Sequence, residues 1–292
     1  MRRALILGAA LVITAAPGFA HSGRTNSEGC HTNRKTGDYH CHGKKKPASS
    51  TAKPAPTPPV ATPAPAGNHG GNTRIDSFNS AKKSLLSRVY FDHMTTFYCD
   101  NPFTTGKKVI PTASKYTPKK VNARSQRIEW EHVVPAHAFG QAFPEWRNGH
   151  PNCVSKGKAF KGRNCASKMN AQFRHMEADM HNLVPAIGEI NGLRSNYSFA
   201  MIPGEPRAFG VCDMEIVNRK AEPRPEVRGD IARTYFYMDK AYPGRGVISS
   251  SSRKMFESWD RSDPVDAWEC ERNQRIKAIQ GNGNEFVERS CK

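Results

Sequence analysis

The chain has 292 residues, with 44 Lys and Arg against 26 Asp and Glu and a formal net charge of +18. That excess points to a polyanionic partner such as nucleic acid, lipid head groups or acidic polysaccharide, with an ordinary soluble basic protein as the alternative. Beyond the first twenty residues no stretch approaches the roughly 20 apolar residues of a membrane span, which excludes an integral helical membrane protein.

The chain begins with a targeting pattern. Met1, Arg2 and Arg3 form a cationic start, "ALILGAALVITA" an apolar run and "GFA" a small-residue site, so residues 1–20 are expected to be a signal peptide cut after Ala20. The remainder then carries +16 and is expected to be periplasmic or secreted. Residues 21–43 form a small head holding His21, Cys30, His31, His40, Cys41 and His42, and resemble the short histidine-rich YHYH motif of bacterial proteins. Such density suits Zn2+ or copper, and cleavage after Ala20 would put a free α-amino group beside the His21 ring. A Cys30–Cys41 disulfide with exposed histidines is the alternative, and both hold together if only the histidines bind metal. Residues 44–72, "KKKPASSTAKPAPTPPVATPAPAGNHGGN", read as an extended Pro/Ala-rich linker.

Residues 73–292 are long enough for one sizeable core and keep a charge of +11. "SFNSAKKSLLSRVYFDH" has helical spacing, with Asn79 or Ser80 as its start. "RIEWEHVV" alternates like a strand and stops at Pro135. "KMNAQFRHMEADMHNLVP" reads as one amphipathic helix, since Phe173, Met176, Met180 and Val184 recur at three and four, with Pro185 ending it. "GDIARTYFYMDKAY", "SSSRKMFESWDRS" and "PVDAWECERNQRIKAIQ" are three more helices, the last stopped by Gly281. Helices dominate and strands are few, so the class is α+β. Six cysteines fall here, and proximity in sequence pairs Cys153 with Cys165 and Cys270 with Cys291, leaving Cys99 with Cys212.

Chemistry concentrates at "EWEH". Phosphodiester hydrolysis needs an activated water and a means of absorbing charge on the phosphoryl oxygens. A neutral histidine can do the first and a hard cation on oxygen ligands the second. Glu131 and His132 supply one residue of each type, although neighbours on an ideal strand face opposite sides. Either the strand bends here, or metal and base approach the phosphate from different sides. Glu129 could tune the ligand or stay solvated, and solvation is the simpler expectation. Asn182, opposite the apolar stripe of its predicted helix, is the candidate second oxygen ligand, with an ordinary polar helix terminus as the alternative. His137, His150, His175 and His181 lack a paired pattern and are expected at the surface or in packing, with His175 the nearest of them to the Asn182 face. Met176 and Met180 are core by spacing. No "HExxH" helix supports a protease.

"EWEHVVPA" followed some fifty residues later by "DMHNLVPAIGEINGLRSNY", with "AEPRPEVRGDIARTYFYM" and the closing "WECERNQRIKAIQGN", resembles the bacterial endonuclease I family over about 73–292. That resemblance implies a disulfide-stapled, mainly helical domain around a ββα-metal (His-Me finger) core, and a sequence-nonspecific endonuclease. It implies DNA and RNA as substrates, bound through their phosphates, a single Mg2+ or alternatively Mn2+ or Ca2+, and a monomer. Carried over by residue, Glu131 and Asn182 resemble the metal ligands and His132 the general base. Arg163 resembles the arginine that holds the cleaved phosphate, although its spacing to Cys165 departs from the family pattern, and Arg194 and Arg174 stand as substitutes. A non-catalytic polyanion- or metal-binding protein is the competing reading, and it leaves "EWEH" unexplained.

Overall fold

The computed structural model describes residues 30–32, 39–41, 70–110, 115–204 and 207–291. In the head, β1 (Cys30–Thr32) and β2 (Tyr39–Cys41) pair antiparallel, with Cys30 opposite Cys41 and His31 opposite His40 in the backbone register. The head's expected metal site and its Cys30–Cys41 bridge depend on side chains outside the described residues, as do His21, His42, the leader and most of the linker.

The domain runs in chain order through α1 (Phe78–Ser84), continued by a π-turn over Leu85–Val89, then β3 (Ile128–His132), α2 (Ala136–Gly140) and α3 (Pro144–Arg147). A short hairpin of β4 (Val154–Ser155) and β5 (Lys158–Ala159) precedes α4 (Arg163–Met169) and α5 (Ala171–Glu177). A 3-10 turn at Met180–Asn182 leads into β6 (Leu183–Ile187), α6 (Gly188–Arg194), β7 (Ser198–Phe199), β8 (Met214–Val217) and β9 (Lys220–Pro223). Four helices close the chain: α7 (Arg228–Ala241), α8 (Ser250–Ser262), α9 (Ala267–Gln280) and α10 (Glu285–Glu288). The architecture is mixed and mainly helical, as the class expectation required.

Its centre is the antiparallel pair β3–β6, with Ile128 opposite Ile187 and His132 opposite Leu183. The pair lies between two apolar clusters. Ile128, Trp130 and Leu183 pack with Leu85, Val89 and Ile276, whereas Val184, Ala186 and Ile187 join the larger cluster with Phe139, Phe173, Ile231 and Met238. Covered on both faces, β6 is buried along its whole length, so it reads as a continuous apolar run rather than an alternating one.

Three local expectations change. The first helix is capped by Ser77, whose side chain accepts the Ser80 N–H, rather than starting at Asn79 or Ser80. The single helix expected up to Pro185 is three elements: α5 stops at Glu177, Asp179 caps the 3-10 turn, and Pro185 sits inside a strand. Asp179 enforces that break. Its carboxylate accepts the His181 N–H and Gln280 Nε2–H at Oδ1, and the Tyr237 and Tyr242 hydroxyls at Oδ2. Pro185 is tolerated because a two-stranded sheet is all edge, and its carbonyl accepts the Phe97 N–H at 2.8 Å. Finally, Asn72, assigned to the linker by composition, is buried in the domain: its N–H donates to Tyr242 Oη and its side chain to the His175 carbonyl. Gly71 beside it lies so close to the Tyr242 ring that a Cβ would sit 2.6 Å from it.

The three disulfides expected from sequence proximity are present: Cys99–Cys212, Cys153–Cys165 and Cys270–Cys291. The expected C-terminal helices form α7, α8 and α9, and Gly281 ends α9 in the left-handed region at φ 91°.

Candidate active site

Strand β3 pairs with β6, and helix α6 follows β6 directly, so the three pack as one ββα unit. Its last residue, Arg194, reaches back to the end of β3 and is fully buried. Arg194 Nη1 donates to Glu131 Oε1 at 2.8 Å and to the His132 carbonyl at 2.9 Å, and Nη2 to the Val133 carbonyl at 2.7 Å. Tyr98 Oη donates to the same Glu131 oxygen at 3.2 Å. One oxygen of Glu131 is therefore fixed by protein, while Oε2 has no protein partner among the described residues. Burial pushes the Glu131 carboxyl up to about 6, against the opposing charge of Arg194. Arg194 is thus a structural clamp and not a phosphate holder.

His132 and Glu131 both line one open cleft of about 860 Å3, so strand alternation does not separate them. The His132 ring packs between Phe78, 4.9 Å away by ring centroid, and Phe139. Its Nε2 lies 2.8 Å from the Glu177 carbonyl oxygen. A carbonyl only accepts, so Nε2 carries the proton and Nδ1 keeps the lone pair. Burial, reinforced by the charge of Arg163, lowers the His132 pKa to about 3, and the ring is neutral at physiological pH.

Arg163, the first residue of α4, lines the same cleft. Glu177 holds it: the buried carboxylate accepts Arg163 Nε–H at 2.5 Å and the Ser167 hydroxyl through its other oxygen. The two terminal nitrogens of Arg163 have no protein partner among the described residues. Arg174, the other substitute, is outside the cleft and donates to the Ser167 carbonyl.

Asn182 does not reach the cleft. It is fully buried, its Oδ1 accepts the Val134 N–H at 2.7 Å and its Nδ2 donates to the Val134 carbonyl at 3.0 Å. Both ends of the amide are spent on fixing the chain just after β3, which corrects the expected ligand role. Two asparagines line the cleft with Glu131 and His132, Asn191 on α6 and Asn196 just beyond it, and Asn191 is the one bonded to a β3 carboxylate. Asn191 Nδ2 donates to Glu129 Oε2 at 3.1 Å, so the amide oxygen is the end left free. Glu129 is correspondingly not a solvated side chain. It accepts from Arg124, Arg127 and Asn191, and although burial alone would raise its carboxyl, the two arginines hold it below its ordinary value.

The Endonuclease I family model matches residues 77–291. The chain belongs to the endonuclease I family. It is 44% identical over 221 residues to a periplasmic deoxyribonuclease of Aeromonas hydrophila, covering 74% of this chain and 86% of that one. It is 42% identical over 238 residues to an extracellular deoxyribonuclease of the same organism, covering 80% and 94%. To an Endonuclease-1 of Buchnera aphidicola it is 40% identical over 222 residues, covering 74% and 82%.

Membership of endonuclease I implies a divalent metal, and the donors here fit one. The free oxygen of Glu131 and the free amide oxygen of Asn191 are hard donors beside open solvent, suited to holding a cation that keeps most of its water. No group of three or more His, Cys, Asp or Glu gathers among the described residues, so nothing resembles a closed zinc site. Lys82, Lys107 and Arg127 also line this endonuclease I cleft and make it a basic funnel. Burial, with Lys107 and Arg163 next, lowers the Lys82 ammonium below its usual range.

The remaining histidines divide as packing predicts, with one exception. His181 is buried and bonds the Asn282 carbonyl, and His150 Nδ1 accepts the Asn152 N–H. The His175 ring is not in the cleft, but exposed His137 lines it beside Trp146. Sequence reasoning missed Asn191, Glu177 and Tyr98. For Asn191 a signal existed: "GEINGLR" follows β6 directly, and it is the helix that completes the ββα unit.

Proposed function

We propose that this protein is an exported, Mg2+-dependent endonuclease that hydrolyses the phosphodiester backbone of DNA, and of RNA as a second substrate, with little regard to sequence. One observation carries the reading. A neutral histidine with a free Nδ1, a carboxylate with one free oxygen and an arginine with two free terminal nitrogens all line a single basic cleft.

In this reading His132 Nδ1 takes the proton of the attacking water, while the Glu177 carbonyl holds Nε2–H and prevents the ring from turning. Glu131 Oε2 and Asn191 Oδ1 would hold the cation, which when bound absorbs charge on the phosphate and leaving oxygen. Arg163 places two N–H donors on the non-bridging phosphoryl oxygens, where charge builds in the transition state. Lys82, Lys107 and Arg127 bind neighbouring phosphates, giving salt-sensitive affinity without base readout. Residues 1–20 serve as the export signal and 21–43 as a tethered head, consistent with the periplasmic and extracellular names of the relatives.

The test is plasmid nicking by the oxidised mature protein with Mg2+ or chelator. Cleavage that needs the cation, is lost in His132→Ala and needs more Mg2+ in Asn191→Ala, with DNA affinity retained, supports the assignment. Cation-independent cleavage, or full activity in His132→Ala, overturns it.

A further inference from the structure

The active-site cleft continues beyond the catalytic groups. A second groove of about 470 Å3 meets it at Pro135 and Asn196, which line both. The floor of this groove is aromatic and buried: Phe199, Tyr235 and Phe256, the last two stacked with ring centroids 4.3 Å apart. Half-buried Tyr197 and exposed Lys220 stand on its rim, together with the Ser251 hydroxyl near the start of α8. Among the described residues, no Asp or Glu lines it.

The chain builds this rim deliberately close to the catalytic unit. After α6 the backbone turns at Ser195, with φ 53°, and Tyr197 N–H donates to the Arg194 carbonyl. Strand β7 then runs parallel to β9, which sets Lys220 opposite Ser198. The two-residue turn between β8 and β9 has Asn218 and Arg219 at φ 50° and 62°, the left-handed pair that a tight hairpin requires. That turn brings the Arg219 guanidinium 5.9 Å from the centre of the Tyr197 ring, and Arg219 does not itself line the groove.

An aromatic floor with a tyrosine and a lysine at the rim, and no carboxylate, matches the chemistry of a nucleotide: a flat apolar base and an anionic phosphate. The volume lies within the range of about 300–1,000 Å3 found for small-molecule sites. A base still paired in a duplex cannot enter such a recess, whereas an unstacked one can. The groove is also continuous with the cleft that holds the reacting phosphate, so the strand being cut needs no detour to reach it.

We propose that this groove binds an unpaired nucleotide of the DNA strand adjacent to the scissile phosphate, its base against Tyr197 and its phosphate on Lys220. The proposal rests on the nuclease function set out above. It makes single-stranded or locally melted DNA the better-bound substrate, since a duplex must first unstack a base to fill the groove.

The experiment uses the full mature chain carrying His132→Ala, which holds DNA without cutting it. Anisotropy titrations compare a labelled single strand of about 8 nucleotides with a duplex of the same sequence. Adding Tyr197→Ala or Lys220→Glu is expected to weaken single-strand binding about tenfold and duplex binding far less, while Tyr197→Phe, which keeps the ring, stays within about twofold. Thermal unfolding identifies a variant that fails to fold, and Lys220→Glu, on an exposed side chain, serves if Tyr197→Ala does. Parental single-strand affinity in folded Tyr197→Ala and Lys220→Glu overturns the groove assignment alone. Failure of the His132→Ala parent to bind either DNA overturns the nuclease reading with it.

Discussion

Glu177 touches both halves of the proposed chemistry, and its two roles separate by substitution. Its backbone carbonyl orients His132, and no side-chain change removes that. Its carboxylate anchors Arg163 at 2.5 Å and Ser167 through the other oxygen. A hydrogen bond between charged partners contributes about 1.5–3 kcal/mol. The Arg163 side chain is 42% exposed, so solvent screening places this one near the lower end. Removing one preorganised donor from an anionic transition state costs about 10^2–10^3 in kcat. Glu177→Ala frees Arg163 without deleting it, so the expected loss is smaller, about 10- to 100-fold. Glu177→Gln should differ sharply. Its amide oxygen can still accept from Arg163 Nε and its amide NH2 can donate to Ser167 Oγ, so only the charge is lost and activity should stay within about fivefold. Single-turnover nicking at saturating metal, with thermal unfolding as a control, measures both. Glu177→Ala within about twofold of wild type, or Glu177→Gln as impaired as Glu177→Ala, would refute the positioning argument.

Three further predictions follow from the same geometry. Asn182→Ala leaves the buried Val134 N–H and carbonyl unpaired and should destabilise the fold by about 2–4 kcal/mol in denaturant titrations, while Asn191→Ala should leave stability nearly unchanged and raise the metal concentration needed for activity. Because His132 has its pKa lowered to about 3 and Glu131 is raised to about 6, the base stays neutral as pH falls while Glu131 takes up a proton. Activity at limiting Mg2+ should therefore drop as pH falls through about 6, and added Mg2+ should shift that limb to lower pH; a limb unmoved by metal would point to a different titrating group. The Cys153–Cys165 bridge closes a 12-residue separation and pins the start of α4 two residues from Arg163. Paired Cys153→Ser and Cys165→Ser substitutions should cost up to about 3 kcal/mol of stability and lower kcat, with full activity in the unbridged chain counting against the link.

Much of the candidate site is legible in the sequence. "EWEH" joins a carboxylate, a histidine and an apolar run in a short strand, and that local chemistry nominated Glu131 and His132 without tertiary help. Arg163 was nominated through the family resemblance, as an arginine near a cysteine, and near neighbours in sequence identified the Cys153–Cys165 and Cys270–Cys291 bridges, which left Cys99 for Cys212. Helices α7 to α9 carry their own periodicity and stops. Local sequence sufficed for most of these features because the interactions that decide them lie close along the chain, whereas Cys99 and Cys212, 113 residues apart, were paired only as the two left over.

The proposed second metal donor was decided elsewhere. Phe173, Met176, Met180 and Val184 are all buried, as a helical stripe demands, yet they belong to a helix, a 3-10 turn and a strand. What breaks the helix is Asp179, held by Tyr237, Tyr242 and Gln280 from 58 to 101 residues away. No window of sequence contains that network. Once it turns residues 183–187 into a strand against β3, Asn182 faces Val134 and is consumed as a backbone brace, and the following helix brings Asn191 to the cleft. The same long-range packing spends Arg194 on Glu131, while Arg163 is held by Glu177 through Nε alone and keeps its two terminal nitrogens unbonded among the described residues. Sequence chose the chemical groups, and tertiary structure chose which of them were left unbonded, because a donor or acceptor serves a ligand only when the fold has not already satisfied it.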